Sequence, residues 1–371
     1  MPKYLDIADV IEGRILDYTY NDATSPIPPE LTLAEQFNVS RQTIRHALKY
    51  LEKKKLVYSI QGSGTFIVKE NVSSLPPSKN VAVIMNSIGN YIYPFKSAAV
   101  NHQLAREGYI ATIFSTENRL DYEARILDNL MGSNYAGIIL EPSCSYLPRF
   151  DLKPFRTLMS RIPFILIDDT YRELDLPSIK MDDFAGGKLA TEHLIANGHR
   201  KIFYVGRSDN GQGIRRFNGY LEALKKHRLP FSDDRVYWYS LRTFKDYFHE
   251  TFPALLKQIR SCTAAFIYND EFAQKLIPAL QENGIRIPED LSVVGYDNFL
   301  TSPDFDPPLT TIRYPYEEVG QKAAENLLRM MSDSQFDANY TFIPELIERE
   351  SVRMIEPLKE KTGTLASRFV S

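Results

Sequence analysis

Apolar residues recur along the chain at two different periods, and the change falls near residue 80. Before it, Ile7, Val10, Ile11 and Ile15 repeat at helical spacing and predict an opening amphipathic helix. Leu31, Leu33, Ala34 and Phe37 predict a second helix, ended by the turn Asn38-Val39. Ile44, Ala47, Leu48 and Leu51 predict a third, with Ser40 placed to cap its first turn. Two runs rich in β-formers then flank a glycine-containing turn: Leu56-Val57-Tyr58-Ser59-Ile60 and Thr65-Phe66-Ile67-Val68, which predict a hairpin. Beyond residue 80 short continuous apolar runs alternate with amphipathic stretches. The runs at 81–85, 110–114, 137–140, 163–167, 201–205, 264–268 and 291–294 read as buried parallel strands. Helical stretches at 95–107, 121–131, 184–197, 213–227, 270–283 and 316–331 lie between and after them, so the larger part is a layered α/β fold.

Between the two regimes, residues 70–79 read Glu-Asn-Val-Ser-Ser-Leu-Pro-Pro-Ser-Lys, a solvated segment stiffened by Pro76-Pro77. The expected organisation is a small domain at 1–69, a linker at 70–79 and an α/β domain at 80–371. A chain of 371 residues is long enough for more than one core. With 43% hydrophobic and 25% charged residues the composition is that of a soluble globular protein. The two cysteines, Cys144 and Cys262, make no disulfide framework and fit a reducing compartment. No long apolar run or signal sequence opens the chain, so a cytoplasmic location and no membrane partner are expected. Of the histidines, His193 and His199 flank a helix-to-strand turn and read as surface or capping residues.

The net charge of -3 makes no global case for nucleic acid, and residues 1–69 hold nine Lys and Arg against eight Asp and Glu. The basic charge is local instead: Arg41, Arg45, Lys49, Lys53, Lys54 and Lys55 face only Glu52 in their stretch. Around the third helix the apolar spacing leaves Arg41, Gln42, Thr43 and Arg45 pointing outward. These side chains suit base edges, since arginine forks onto guanine, glutamine onto adenine, and a threonine methyl meets thymine. Helix, turn, capped helix and hairpin together read as a winged helix-turn-helix.

Pro28-Pro29-Glu30, Leu33-Ala34, Val39-Ser40-Arg41-x-Thr43-Ile44-Arg45-x-Ala47-Leu48 and Gly62-x-Gly64-Thr65-Phe66-Ile67 resemble the winged helix-turn-helix of the GntR family. The resemblance implies double-stranded operator DNA as partner. It implies contacts from Arg41, Gln42, Thr43, Arg45, Gln61 and Gly62, with support from Lys3. Many members carry glycine where this chain has Lys55, and a lysine enters the left-handed conformation less readily.

An enzyme finds little support in the α/β part. The first strand is followed by Asn86-Ser87-Ile88-Gly89-Asn90 rather than a dinucleotide glycine loop, and no nucleophile elbow or His-Glu-x-x-His helix occurs. His193-Leu194, Gly198-His199-Arg200-Lys201-Ile202, Arg216-Phe217-x-Gly219-Tyr220, Tyr268-Asn269-Asp270 and Val293-Val294-Gly295-Tyr296-Asp297-Asn298 instead resemble the effector domain of LacI-type repressors. That domain is similar to periplasmic sugar-binding proteins. The resemblance implies a two-lobed, periplasmic-binding-protein-like domain crossed three times by the chain, and a homodimer. The combination with a GntR-type head resembles arabinose-responsive repressors and implies L-arabinose or a related sugar as effector, with no cofactor and no metal.

A sugar site needs planar groups that bind neighbouring hydroxyls and an apolar ring against the C–H face. Arg216 supplies a fork, Asn269 an amide and Asp297 a carboxylate, each inside a matching motif. Glu141 and Asp168 or Asp169 follow strand ends, Tyr93 and Tyr91 follow the first strand, and Gln212 enters by proximity. A sugar-binding module without DNA regulation and a repressor answering another sugar are the alternatives.

Overall fold

The computed structural model describes residues 3–16, 27–60, 64–68, 78–131 and 133–355, with the side chains of residues 245–247 left aside. The wing tip at Gln61 and Gly62 and most of the expected linker, residues 70–77, lie outside the described residues.

The head is built from helices α1 (Lys3–Leu16), α2 (Glu30–Gln36) and α3 (Arg41–Lys53), followed by the antiparallel pair β1 (Val57–Ile60) and β2 (Gly64–Ile67). Its core joins Ile7, Ala8, Ile11 and Ile15 to Leu33, Ala34, Ile44, Ala47, Leu48 and Leu51. Val10, expected inside, is 46% exposed, and Ala8 takes the buried position. Asn38 turns the chain between α2 and α3 with φ 48°, a conformation asparagine tolerates. Lys55 makes the corresponding turn into the wing at φ 58°. The Leu56 amide reaches back to the Leu51 carbonyl at 3.0 Å, so the helix ends as it would on glycine.

The chain then builds two lobes. The first holds β3 (Asn80–Met85), α4 (Tyr93–Arg106), β4 (Ile110–Ser115), α5 (Leu120–Met131), β5 (Gly137–Leu140), α6 (Lys153–Met159), β6 (Phe164–Ile167) and β7 (Ser178–Met181). The second holds α7 (Asp183–Ala196), β8 (Ile202–Arg207), α8 (Gly211–Lys226), β9 (Val236–Tyr239), α9 (Leu241–Ile259), β10 (Ala264–Ile267), α10 (Asp270–Glu282), β11 (Ser292–Asp297) and β12 (Thr310–Arg313). The chain returns to the first lobe with α11 (Tyr316–Ser332) and β13 (Tyr340–Phe342), and ends in the second with β14 (Glu345–Ile347). The compact units change at 180/181, 315/316 and 341/342, three crossings as the LacI-type resemblance implies.

Each lobe is a six-stranded sheet. The orders are β13-β7-β6-β5-β3-β4 and β14-β12-β11-β10-β8-β9, and β14 runs antiparallel to β12. Central strands such as Gly-Ile-Ile-Leu and Ala-Ala-Phe-Ile are buried at every position, because helices cover both faces. In the first lobe α5 and α6 cover Ala82, Ile84, Ile138, Leu140 and Leu166, while α4 and α11 pack together on the opposite face. In the second, α9 and α10 cover Phe203, Val205, Ala265, Ile267 and Val293. The pair α7 and α8 lies against the other face, and here glycine is required. A Cβ on Gly187 would fall 2.1 Å from the Arg216 carbonyl, and one on Gly219 would fall 2.2 Å from that of Phe184. The two helices therefore meet backbone to backbone, and this contact fixes where Arg216 enters the lobe.

Candidate DNA-reading and effector sites

In the head, Ser40 Oγ accepts from the Thr43 amide at 3.2 Å and lies 2.8 Å from the Thr43 hydroxyl. Thr43 is thereby half-buried against the cap, while Arg41 and Gln42 are exposed. Arg45 is also exposed but engaged: its Nε and one terminal nitrogen donate to the two oxygens of Glu30 at 3.0 and 2.8 Å. Arg41 stands 3.9 Å from the same carboxylate. Hydrogen bonding from Arg45 lowers the Glu30 pKa, and Glu30 raises that of Arg45. A bidentate pair of this kind stiffens the arginine, which fixes the direction of its fork. Lys3 is exposed at the start of α1.

The first lobe gathers its expected residues at the carboxyl ends of its strands. Glu141, just past β5, is buried and accepts from the Asn86 amide at 3.1 Å and the Tyr93 hydroxyl at 3.3 Å. Asp168, past β6, is 3% exposed and holds a left-handed backbone at φ 67°. It is ion-paired with Lys96 of α4, whose side chain is fully buried. The Lys96 ammonium also stands 5.5 Å from the centre of the Tyr93 ring. Asp169 accepts from the Ser145 hydroxyl and from the Thr170 amide. Tyr91 and Cys144 are left-handed too, at φ 56° and 43°. Non-glycine residues in that region are uncommon and gather where function over-determines the backbone. Beneath the 143–149 loop a buried cluster holds the shape. Glu123 accepts from the Ser143 amide at 2.7 Å, pairs with Arg149 and lies 2.7 Å from the Tyr171 hydroxyl. Burial pushes the Glu123 pKa up against the pull of Arg149.

The second lobe centres on Arg216, which is 2% exposed. Its Nε donates to Asp183 at 2.9 Å, one terminal nitrogen donates to the Tyr268 carbonyl at 2.7 Å, and the other is 3.7 Å from Asp297. Its guanidinium lies 3.5 Å from the centre of the Tyr296 ring and 4.6 Å from that of Tyr268. Burial opposes the charge, but Asp183 and the surrounding groups more than offset it, and the pKa stands well above the usual arginine value. Asn269 caps α10, its Oδ1 accepting from the Phe272 amide at 3.0 Å, which leaves Nδ2 as the donor it can present to a ligand. Asp297 sits at φ 108° at the end of β11. Asp270 holds this turn, accepting from the Tyr296 and Phe299 amides at 2.8 and 3.0 Å and from the Ser302 and Thr311 hydroxyls. Gln212 is half-buried on the first turn of α8, and its Oε1 accepts from Asn210 at 3.3 Å.

Thus Tyr93 and Glu141 share one cluster, and Arg216 and Asp297 share another with Asn269 adjacent. Four contributors were not singled out from sequence: Lys96, Ser145, Asp183 and Glu30. Lys96 lies one helical turn after Tyr93, and Asp183 is an acid in the first turn of a helix, so both looked like ordinary positions. His199 corrects the reading as a surface or capping group. It is fully buried between the Thr263 hydroxyl at 3.0 Å and the Arg353 carbonyl at 3.1 Å, and burial takes its pKa down to about 4.

Two family models match the chain, one described as bacterial regulatory proteins of the gntR family over residues 3–67, the other as a periplasmic binding protein-like domain over residues 191–352. The fold and sites therefore define a regulator with a GntR-type DNA-binding head and a LacI-type, periplasmic-binding-protein-like effector domain. An arabinose metabolism transcriptional repressor from Geobacillus stearothermophilus is 32% identical over 363 residues, covering 96% of this chain and 99% of that protein. One from Halalkalibacterium halodurans is 31% identical, covering 92% and 93%. The chain belongs to the family of these arabinose metabolism transcriptional repressors. The fold of the effector domain is shared with a periplasmic binding protein/LacI transcriptional regulator from Alkaliphilus metalliredigens, solved with D-xylulofuranose. That match has TM-score 0.63 and 21% identity, and covers 74% of this chain and 99% of that one. No helix among the described residues is long and apolar enough to cross a membrane.

Proposed function

We propose that the chain is a cytoplasmic, sequence-specific repressor of arabinose-use genes that lets go of its operator when a neutral sugar, L-arabinose, binds the effector domain. The reading is carried by one observation. The same chain holds a capped recognition helix with Arg41, Gln42 and Arg45 exposed and a buried arginine fork at Arg216 between aromatic rings and carboxylates. The head contacts DNA through Lys3, Arg41, Gln42, Thr43 and Arg45, and through Gln61 and Gly62 at the wing tip. The effector residues are Tyr93, Glu141, Asp168, Asp169, Gln212, Arg216, Asn269 and Asp297. The chain acts as a homodimer, with domains at 1–69 and 80–371 joined by residues 70–79. No metal or cofactor takes part, and no catalysis is assigned.

A ligand shifts binding only by its differential affinity for two states. Coupling of about 1–3 kcal/mol lowers DNA affinity roughly 5- to 150-fold, and the duplex weakens sugar binding by the same factor. The test is calorimetry of L-arabinose binding with and without a duplex that the protein itself selects from a random library. Equal affinities in the two titrations defeat arabinose as the releasing ligand, and binding of another sugar alone assigns the effector role to that sugar.

A further inference from the structure

Resting on that reading, we propose that Arg349 is a positioning residue of the effector site. It braces the turn after β11 through Asn298, and so sets the direction in which Asp297 meets a sugar hydroxyl.

The turn opens with two consecutive residues outside the ordinary backbone regions, Asp297 at φ 108° and Asn298 at φ 50°. Aspartate and asparagine tolerate such angles singly, whereas a succession of two is set by what surrounds it. Asp270 supplies the inner brace. Its Oδ1 accepts from the Tyr296 amide at 2.8 Å and its Oδ2 from the Phe299 amide at 3.0 Å, one on each side of the two residues. The Thr311 hydroxyl donates to the same carboxylate at 2.9 Å, which leaves its oxygen to accept from the Asn298 amide at 3.3 Å. Only glycine at 295 allows this approach, since a Cβ there would fall 2.1 Å from Asp270 Oδ1.

Arg349 supplies the outer brace, from chain that follows the third crossing and lies 51 positions beyond Asn298. In the antiparallel pair of β14 and β12, Ile347 stands opposite Thr311. Two residues further on, the Arg349 amide donates to the Thr310 hydroxyl at 2.9 Å. One terminal nitrogen of its guanidinium donates to the Leu309 carbonyl and the other to Asn298 Oδ1, each at 2.6 Å. The first bond anchors the fork beside β12, and the second carries that anchor to the turn. A planar guanidinium holds two acceptors in a fixed relation, which a single ammonium does not. Burial lowers the Arg349 pKa and Asp270 raises it, so the two braces also act on one another electrostatically. Between them stands Asp297, with a carboxylate oxygen 3.7 Å from Arg216. An acceptor beside a donor fork suits neighbouring sugar hydroxyls, and hydrogen bonds of this kind weaken steeply with misdirection. Loosening the turn therefore acts on sugar affinity through Asp297, while the sheets stay intact.

The test is calorimetry of L-arabinose binding by the full-length chain, with melting temperature and affinity for the selected duplex measured beside it. R349A is expected to melt within a few degrees of the unsubstituted parent and to bind the duplex equally well. Its sugar affinity should fall about tenfold, the low end for a hydrogen bond to a charged group. R349K keeps the charge without the fork, and should bind the sugar at least about fivefold more weakly than the parent. In a D297N background, where asparagine accepts the backbone, the loss caused by R349A should shrink below about threefold, because a residue acting through Asp297 has nothing left to position. Parent-like sugar binding by R349A or R349K overturns the proposal. So does an undiminished loss in the D297N background, or a loss of duplex binding by R349A equal to its loss of sugar binding. If R349A does not fold, or D297N binds too weakly to titrate, R349K decides. A parent that binds no sugar defeats the effector assignment itself, an outcome separate from variants that bind as well as their parent.

Discussion

At the scale of single residues, both candidate sites hold an arginine in place. Arg45 is fixed by Glu30 at 2.8 and 3.0 Å, so its fork is aligned before DNA arrives. Arg45→Ala is expected to abolish specific binding while sugar binding stays unchanged, since a bidentate base contact is worth about 1–3 kcal/mol. Parent-like affinity for the selected duplex in a gel-shift titration would count against Arg45 as a base reader. Arg216 is bound into its lobe more deeply, and its loss acts twice. Arg216→Ala should end sugar binding and lower stability by about 3–5 kcal/mol, because the buried Asp183, which keeps Arg215 at 3.4 Å, loses its 2.9 Å partner and Asp297 loses the guanidinium 3.7 Å away. Adding Asp183→Asn should restore much of the stability and none of the sugar binding, which urea unfolding and calorimetry together would read. Arg216 and Asn269 were legible in the sequence because distinctive motifs surround them. Lys96 and Asp183 were not, since a partner 72 or 33 positions away leaves no local trace.

At the scale of elements, the recurrence of apolar residues was sufficient for the head and for most of the parallel strands. It missed the four-residue strands β7, β9 and β12, the three-residue β13 and β14, the seven-residue α6 and the longer α9; β9, Val-Tyr-Trp-Tyr, is only partly buried at the sheet edge. It also could not show that α7 and α8 touch through glycine. Gly187→Ala would drive a methyl group into the Arg216 carbonyl, so the helices must separate and Arg216 must move. Weakened sugar binding together with a lower melting temperature is expected, and a variant with both unchanged would refute the backbone contact. The turn before β8 carries a pH dependence. His199 is kept neutral, so below pH 6.5 the unfolded chain takes up a proton that the folded chain refuses until about pH 4. Stability from this group is therefore present above 6.5 and lost as pH falls toward 4, at up to about 1.4 kcal/mol per pH unit. Asp270 acts with the opposite sign. Burial raises its pKa to about 6 against the pull of its four hydrogen-bond donors, so the folded chain gains a proton first and is favoured as pH falls through 6. The two largely offset one another in the intact protein. The stability advantage of the parent over His199→Gln should shrink by about 3 kcal/mol between pH 7 and pH 4 in chemical unfolding, and a constant difference would exclude His199 as the source.

At the scale of the whole molecule, a single head buries too little DNA for high specificity, so two copies reading a pseudo-palindromic site are expected. Footprinting should protect two inverted half-sites, and light scattering should return a dimer mass. One unrepeated half-site bound by a monomer would contradict this. The three crossings of the chain between the lobes have a temporal consequence. The first lobe's sheet and its α11 wall are complete only when residues 316–341 have been synthesised, long after residue 180. At ordinary bacterial elongation of about 5–20 residues per second, that interval lasts on the order of ten to thirty seconds. The head needs no such wait, because its buried core draws only on residues 7–57. A nascent chain thus has the whole core of its head in hand well before the first lobe of its sensor is complete, so the order of synthesis runs from the reader to the sensor.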